Sequence, residues 1–355
     1  MNEQNTRTET SVTADAAPIT TGSVVVDPRE SQSAFRRFLG GPVGRNLGLI
    51  VALLAIIAVG AITAGDNFLT VNTFLTIVRQ ASVWGVLAIG MTFVIIAGGI
   101  DLSVGSVLGL ASVVATLTVV QDLADESTWV ILIFIPLLVG LAAGVLNGVI
   151  IAYGNVVAFM ATLAMLVAAR GLAEVLAQRR TLVLGSGPFK ELVTSDFLGI
   201  DILIWIFAIV SVAGWILLNR TTFGRRTVAI GGNREAARLA GINVKRHTIY
   251  LYGLAGLSAG IAAILILGRT TAGSSTNGQL YELDAIAAVV VGGTLLTGGR
   301  GTIVGTVLGV LIFSTLTNVF VQNNLDSSVQ AIAKGVIIVI AVLLQQRFSG
   351  RTVRE

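Results

Sequence analysis

Residues 127–169 read STWVILIFIPLLVGLAAGVLNGVIIAYGNVVAFMATLAMLVAA and contain no Asp, Glu, Lys or Arg. A helix needs about 20 mostly apolar residues to cross the hydrocarbon of a bilayer. This run therefore holds two crossings and a turn, with Tyr153, Gly154 and Asn155 supplying the turn. In lipid every backbone polar group must be paired within the chain, which leaves helix bundles and closed barrels. Barrel strands are short and alternate in polarity, whereas this run is apolar on all sides. It is helical.

Working outward, the same absence of charge recurs at Asn46–Gly65, Leu102–Gln121, Ile202–Asn219, His247–Gly268 and Gly301–Leu325. Only 12% of the 355 residues are charged, 54% are hydrophobic, and the mean hydropathy is +0.87. Soluble domains carry about one quarter charged residues, so lipid must be the solvent for most of this chain. Ten spans are expected, at about 47–65, 77–97, 102–120, 130–152, 157–177, 201–219, 248–268, 284–297, 302–321 and 329–346. The fold class is an all-α polytopic membrane bundle. Residues 1–45 are polar and lack a signal-peptide core, so they read as a disordered cytoplasmic tail. Residues 46–348 form the membrane domain, and 349–355 a short C-terminal tail.

Charge placement orients the bundle. With an even number of spans both termini share a side. If that side is the cytoplasm, the inner segments hold 16 of the 23 Lys and Arg residues. The outer loops then carry Asp66, Asp122, Asp125, Glu126, Glu191, Asp196, Asp201, Glu282 and Asp326. Basic residues stay inside, so both termini are expected in the cytoplasm and 220–246 is the main cytoplasmic loop. The net charge of +4 reflects this topology and no nucleic-acid partner is implied. The chain has no cysteine, so disulfides and thiolate metal sites are excluded.

Two Gly-rich segments echo each other: Gly98-Gly99-Ile100-Asp101-Leu102-Ser103-Val104-Gly105-Ser106-Val107-Leu108-Gly109, and Gly298-Gly299-Arg300-Gly301-Thr302-Ile303-Val304-Gly305-Thr306-Val307-Leu308-Gly309. An internal repeat with interrupted helices would explain the match, and so would chance similarity between two Gly/Val-rich spans. In the cytoplasmic loop, Asn233 suits a helix cap, Glu235 its first turn and Gly241 its end. A helix of about two turns is expected there, with Ala236, Ala237 and Ala240 as a face that another protein approaches closely. Taken alone, the loop reads equally as an ordinary basic connection between spans.

Several motifs in order give that loop a context. Glu235-Ala236-Ala237 followed by Gly241 resembles the coupling loop of ATP-binding-cassette importer permeases. The first Gly-rich segment through Gly105, Asn147-Gly148, Phe159-Met160-Ala161-Thr162-Leu163 and Ala169-Arg170-Gly171 resemble the ribose/xylose/arabinose/galactose permease family. So do Tyr281-Glu282-Leu283-Asp284 through Gly293 and Gly298-Gly299-Arg300-Gly301-Thr302. The resemblance covers residues 47–346. It implies a translocation subunit in the bacterial cytoplasmic membrane that moves a monosaccharide or related polyol inward. It also implies a second permease copy or a related permease, a cytoplasmic ATPase, and a periplasmic or lipid-anchored sugar-binding protein. The coupling residues would be Glu235, Ala236, Ala237, Arg238 and Gly241. The chain contains no Gly-Lys pair and hence no P-loop, so ATP and Mg belong to the partner ATPase.

The pathway candidates, in the spans or at their edges, are Asp101, Ser103, Asn147, Phe159, Thr162, Arg170, Glu282 and Asp284. Buried charge costs about 2.5–3.5 kcal/mol on insertion scales, so each ionisable group should face protein or water. Asp101 suits a helix cap or the pathway equally. Arg170 and Glu174, one turn apart, suit an ion pair, and Lys334 near a span end suits snorkelling. Asn147 and Thr162 suit interhelical hydrogen bonds. An ion-coupled secondary transporter is the alternative, and it would need more mid-membrane carboxylates than Asp101. A membrane enzyme would need a cluster of reactive side chains, and the sole histidine is His247.

Overall fold

The computed structural model describes residues 42–65 and 68–349. The tails expected at 1–45 and 349–355 lie almost wholly outside the described residues. The chain forms helices α1 (Pro42–Ala64), α2 (Val71–Ile96), α3 (Val104–Ala115), α4 (Thr118–Glu126), α5 (Ile131–Tyr153), α6 (Ala158–Leu176) and α7 (Pro188–Val193). After them come α8 (Ile202–Arg220), α9 (Thr222–Gly232), α10 (Arg234–Leu239), α11 (Val244–Thr270), α12 (Tyr281–Val291), α13 (Ile303–Gln322) and α14 (Ser327–Ser349). Strands β1 (Leu182–Val183), β2 (Asp196–Phe197), β3 (Ile200–Asp201) and β4 (Ala272–Gly273) are two residues each. They form two antiparallel pairs, β1 with β4 and β2 with β3.

Each expected span falls on a helix, but not every helix is a full crossing. Among the described residues seven are long and apolar enough to cross: α1, α2, α5, α6, α8, α11 and α13. The span expected at 102–120 is the pair α3–α4, bent by 56°. The span expected at 284–297 is α12, 11 residues long. At about 1.5 Å per residue it covers about half of a 30 Å hydrocarbon layer. The apolar run continues past it through Leu296, but Gly292 and Gly293 end the helix, and Gly293 has φ +88°. Composition alone does not register that stop.

The loops sort into two ends. At one, the turns at 97–103, 154–157 and 292–302 meet the α9–α10 excursion; the Gly299 amide donates to the Ile96 carbonyl at 2.7 Å. At the other, β1 pairs with β4, the Gln121 amide bridges to Val183 and Gly185, and Asn323 donates to Thr63. Glu282, expected in an outer loop, is instead buried on α12.

Helices α2 and α11 are the axis of the bundle. Of their most apolar stretches, 89% and 83% respectively lie inside the protein, against 6% for α1. Against α11 packs α5, and both are narrow at the contact. Gly140, Gly144 and Gly148 of α5 recur every four residues and meet Tyr252, Gly256, Gly260 and Ile249 of α11. Where neighbouring lipid is as apolar as leucine, association depends on close packing, and small residues at four-residue spacing let backbones approach. A Cβ on Gly256 would sit 2.8 Å from the Gly144 Cα. The outward faces of α1, α5, α6 and α8 expose Leu54, Ile62, Phe134, Val167 and Ile209 to lipid.

Candidate functional site

The protruding loop begins where α8 stops. Thr221 caps α9 by accepting from the Gly224 amide at 3.3 Å. Asn233 then caps α10, its Oδ1 accepting from the Ala236 amide at 2.9 Å. Gly241, at φ +84°, reverses the chain, and the Ile242 amide closes back on the Ala237 carbonyl at 3.1 Å. The cap, acidic first turn and glycine stop are thus where the sequence places them, in a helix of six residues.

One residue of the expected docking face points the other way. Ala237 is buried and packs with Ile230, Val244 and Ile242, forming the foot of α10. Contact with Ile230 and Val244, from the helices on either side of α10, turns Ala237 alone inward. The outward face carries Glu235, Ala236, Arg238 and Ala240, with Leu239 77% exposed at the tip. An exposed leucine at the end of a polar loop was not singled out from sequence. Arg238 donates to Glu235 through Nε at 3.0 Å and Nη2 at 2.5 Å. These bonds hold the Glu235 carboxyl below the usual carboxylate range and push Arg238 up.

Behind α10 lies a cavity of about 740 Å³ at the end of the bundle, lined by Gly98, Gly99, Asn155, Arg234, Arg238, Lys245 and Tyr252 among others. The α9 helix that carries α10 is anchored beside it. Thr227 Oγ1 and His247 Nε2 are 2.8 Å apart, and the Phe223 ring packs between Phe93 and His247.

The pathway candidates fall into separate groups. Asp101, Ser103 and Asn147 are brought together. Asp101 Oδ1 accepts from the Ser103 amide at 2.8 Å and its hydroxyl at 2.6 Å, and Asn147 Nδ2 donates to Ser103 Oγ at 2.9 Å. Thr162 donates to the Ala158 carbonyl of its own helix and lies 3.4 Å from the Ile100 carbonyl. All four are buried. Asp101 is not the helix cap considered from sequence, because Ser103 occupies that position; the carboxylate instead fastens the turn preceding α3. Tyr252, which lies 3.5 Å from the Ile100 carbonyl, adds a hydroxyl that the sequence did not flag.

Arg170 and Glu282 lie at a second place, around α3. Arg170 Nη1 donates to the carbonyls of Ser275 and Asn277. Its expected partner Glu174 instead sits 3.8 Å from Arg179. The reason is geometric: the 271–280 loop folds back onto α3 and presents its carbonyls to the guanidinium. Asn277 also bonds Ser112 of α3 at 3.1 Å. Glu282 is buried against Gly105, and among the described residues its Oε2 has no hydrogen-bond partner, nor does Asn147 Oδ1. Lys334 does not snorkel. It pairs with Asp284 at 3.2 Å, tying α14 to α12 with both side chains about one-fifth exposed. Phe159 is exposed on α6, one turn before Thr162, whose hydroxyl lies 3.3 Å from the Phe159 carbonyl.

A family model described as branched-chain amino acid transport system / permease component matches residues 73–343. The chain is 41% identical over 302 residues to the ribose import permease protein of Escherichia coli (strain K12), covering 84% of this chain and 92% of that one. The ribose import permease protein of Bacillus subtilis (strain 168) is 40% identical over 310 residues, covering 87% and 95%. The xylose transport system permease protein of Escherichia coli (strain K12) is 32% identical over 371 aligned positions, covering 86% and 94%. No solved structure matches.

Proposed function

From the premise that this chain belongs to the branched-chain amino acid transport system / permease component family, we propose that it is the membrane-spanning permease of an ATP-driven importer of a monosaccharide or related polyol. The observation that carries the reading is identity of about 40% to ribose import permeases over nearly the whole of both chains. Ribose is the first substrate to try. The named relatives act on pentoses, which favours sugar over the amino acids in the family's description.

In this account the chain performs no covalent chemistry. A cytoplasmic ATPase, holding ATP and Mg, docks on the outward face of α10 through Glu235, Ala236, Arg238, Leu239 and the turn at Gly241. Ala237 supports that face from beneath. A periplasmic or lipid-anchored binding protein delivers sugar at the opposite end, and a second permease copy completes the pore. Both termini lie in the cytoplasm, and ten membrane segments are retained, with α3–α4 broken and α12 a half-crossing. The matched Gly-rich segments are the interruptions of an internal repeat. Asp101, Ser103, Asn147, Thr162, Arg170, Glu282 and Asp284 form the polar side of the route, with Phe159 on its apolar side. Asn147 Oδ1 and Glu282 Oε2, without a partner among the described residues, would accept from sugar hydroxyl groups. The two end states exchange by alternating access, each ligand favouring the state it binds better.

The test is reconstitution in liposomes with a ribose-type ATPase and its binding protein. Labelled ribose should enter only when ATP, ATPase and binding protein are all present. Uptake driven by a proton or sodium gradient without ATP would favour the ion-coupled alternative and reject this one. Within the working system, Asp101→Asn keeps the shape while removing the charge, so a large loss of uptake per assembled complex assigns Asp101 to the route.

A further inference from the structure

Between the protruding loop and the membrane core, three backbones meet without a side chain between them. Gly231, at the end of α9, lies so close to the Ile96 carbonyl that a Cβ there would collide with it; that Cβ would also lie 2.5 Å from the Gly299 nitrogen. A Cβ on Gly298 would lie 3.0 Å from the Gly231 oxygen and 3.0 Å from the Gly98 nitrogen, and one on Gly299 would lie 3.1 Å from the Gly232 Cα. The Gly299 amide donates to the Ile96 carbonyl at 2.7 Å. The last turn of α2, the turn joining α12 to α13, and the end of α9 are thus in direct backbone contact. One residue beyond Gly232, Asn233 starts α10.

Backbone contacts of this kind transmit displacement because no flexible side chain absorbs it. Packed elements switch between discrete arrangements and do not deform continuously. The contact falls where two helices end: α2 finishes its crossing and runs into the turn held by Asp101, and α12 stops halfway. The other side of α9 is fastened to α2 and α11 by Phe223 and by the Thr227–His247 bond.

We propose that Gly231 is a positioning residue for transport, handing movement of the docked α10 simultaneously to the ends of α2 and α12–α13 as one rigid unit. The inference rests on the importer reading given above. It adds where the ATPase stroke enters the membrane helices and why that position is glycine.

Two measurements test it in the complex of full-length chain, ATPase and binding protein. In the first, Gly231→Ala should assemble and hydrolyse ATP, but sugar imported per ATP hydrolysed should fall by roughly tenfold, the scale of a change within a coupling network. Gly232→Ala, where no atom lies within 4 Å of the added carbon, should transport as the parent does. A merely structural role would lower the amount of complex and leave that ratio alone. In the second, the native chain has no cysteine, so spin labels go on Gly232→Cys and Arg300→Cys, both exposed. Their separation should stay constant between nucleotide-free and ATP-bound complexes, while the distance from 232 to a label at Ser186 changes. An unchanged transport ratio in Gly231→Ala overturns the proposal. So does a 232–300 distance that changes with ATP, and this second readout decides alone should Gly231→Ala not accumulate. Failure of the parent complex to import any sugar would instead count against the importer reading.

Discussion

Replacing Gly144 by alanine should destabilise the bundle, although alanine is the better helix former. In an exposed helix the exchange gains about 1 kcal/mol. Here the new methyl would collide with the Tyr252 carbonyl and approach the Gly256 Cα and nitrogen at 3.0 Å. These are backbone atoms of α11, which cannot rotate aside, so relief requires the two helices to separate. Overpacking of that kind costs about 1–3 kcal/mol, and collision with backbone places Gly144 at the upper end. The net loss should be about 2 kcal/mol, or roughly 4–8 °C in apparent Tm for a large domain. Gly171→Ala is the reference, since its added carbon meets nothing within 4 Å; it should be neutral or slightly stabilising. Detergent-solubilised variants followed by thermal aggregation and size exclusion give the comparison. Should Gly144→Ala melt with or above Gly171→Ala, the glycine seam between α5 and α11 is not what brings these helices together.

Three further expectations follow from the loop and the α12–α14 contact. Leu239→Asp should leave insertion and thermal stability unchanged while weakening association with the ATPase at least tenfold, measured by pull-down titration; Ala237→Trp should instead lower stability, because its site is filled. Removing either partner of the Asp284–Lys334 pair strands a charge only about one-fifth exposed and should cost about 1–3 kcal/mol, whereas Asp284→Asn with Lys334→Gln should cost less than the sum of the singles, as a double-mutant cycle will report. The Glu235–Arg238 pair is fully exposed and should matter little. Because the folded carboxyl is held below its ordinary value, any contribution is complete above about pH 4.3 and is lost as pH falls below it. ATPase affinity should therefore be flat from pH 6 to 8, and a decline across that interval would contradict the assignment.

The crossings were legible because lipid imposes one simple demand, a long run without charge, and α5, α8 and α13 meet it plainly. Caps were legible too: Asn233 and Gly241 act locally, so their neighbours in sequence are enough to place them. What sequence could not settle depended on contacts between distant segments. Arg170 looked paired with Glu174 because only the helix spacing was visible. The carbonyls of Ser275 and Asn277 that claim it arrive from a loop more than 100 residues away. Lys334 likewise meets Asp284 from a distance of 50 residues. Ala237 was assigned to an outer face because alanine is equally at home on either side of a short helix, and only packing against Ile230 and Val244 chooses one. The half-length of α12 was hidden by the apolar residues that follow its glycines.

The burial of α2 also bears on how the chain is made. Its central residues are enclosed mainly by α8, α11, α12 and α13, all synthesised well after it. The ribosome delivers α2 to the membrane long before Val244 begins α11. During that interval Ser82, Thr92 and the small residues of α2 face lipid or the insertion machinery, without their final neighbours. Contacts this remote in sequence close slowly. A nascent chain stopped before residue 244 therefore holds membrane helices without a centre, and such products should be cleared by membrane proteases as they form. The axis of the bundle can first be built only when α11 enters.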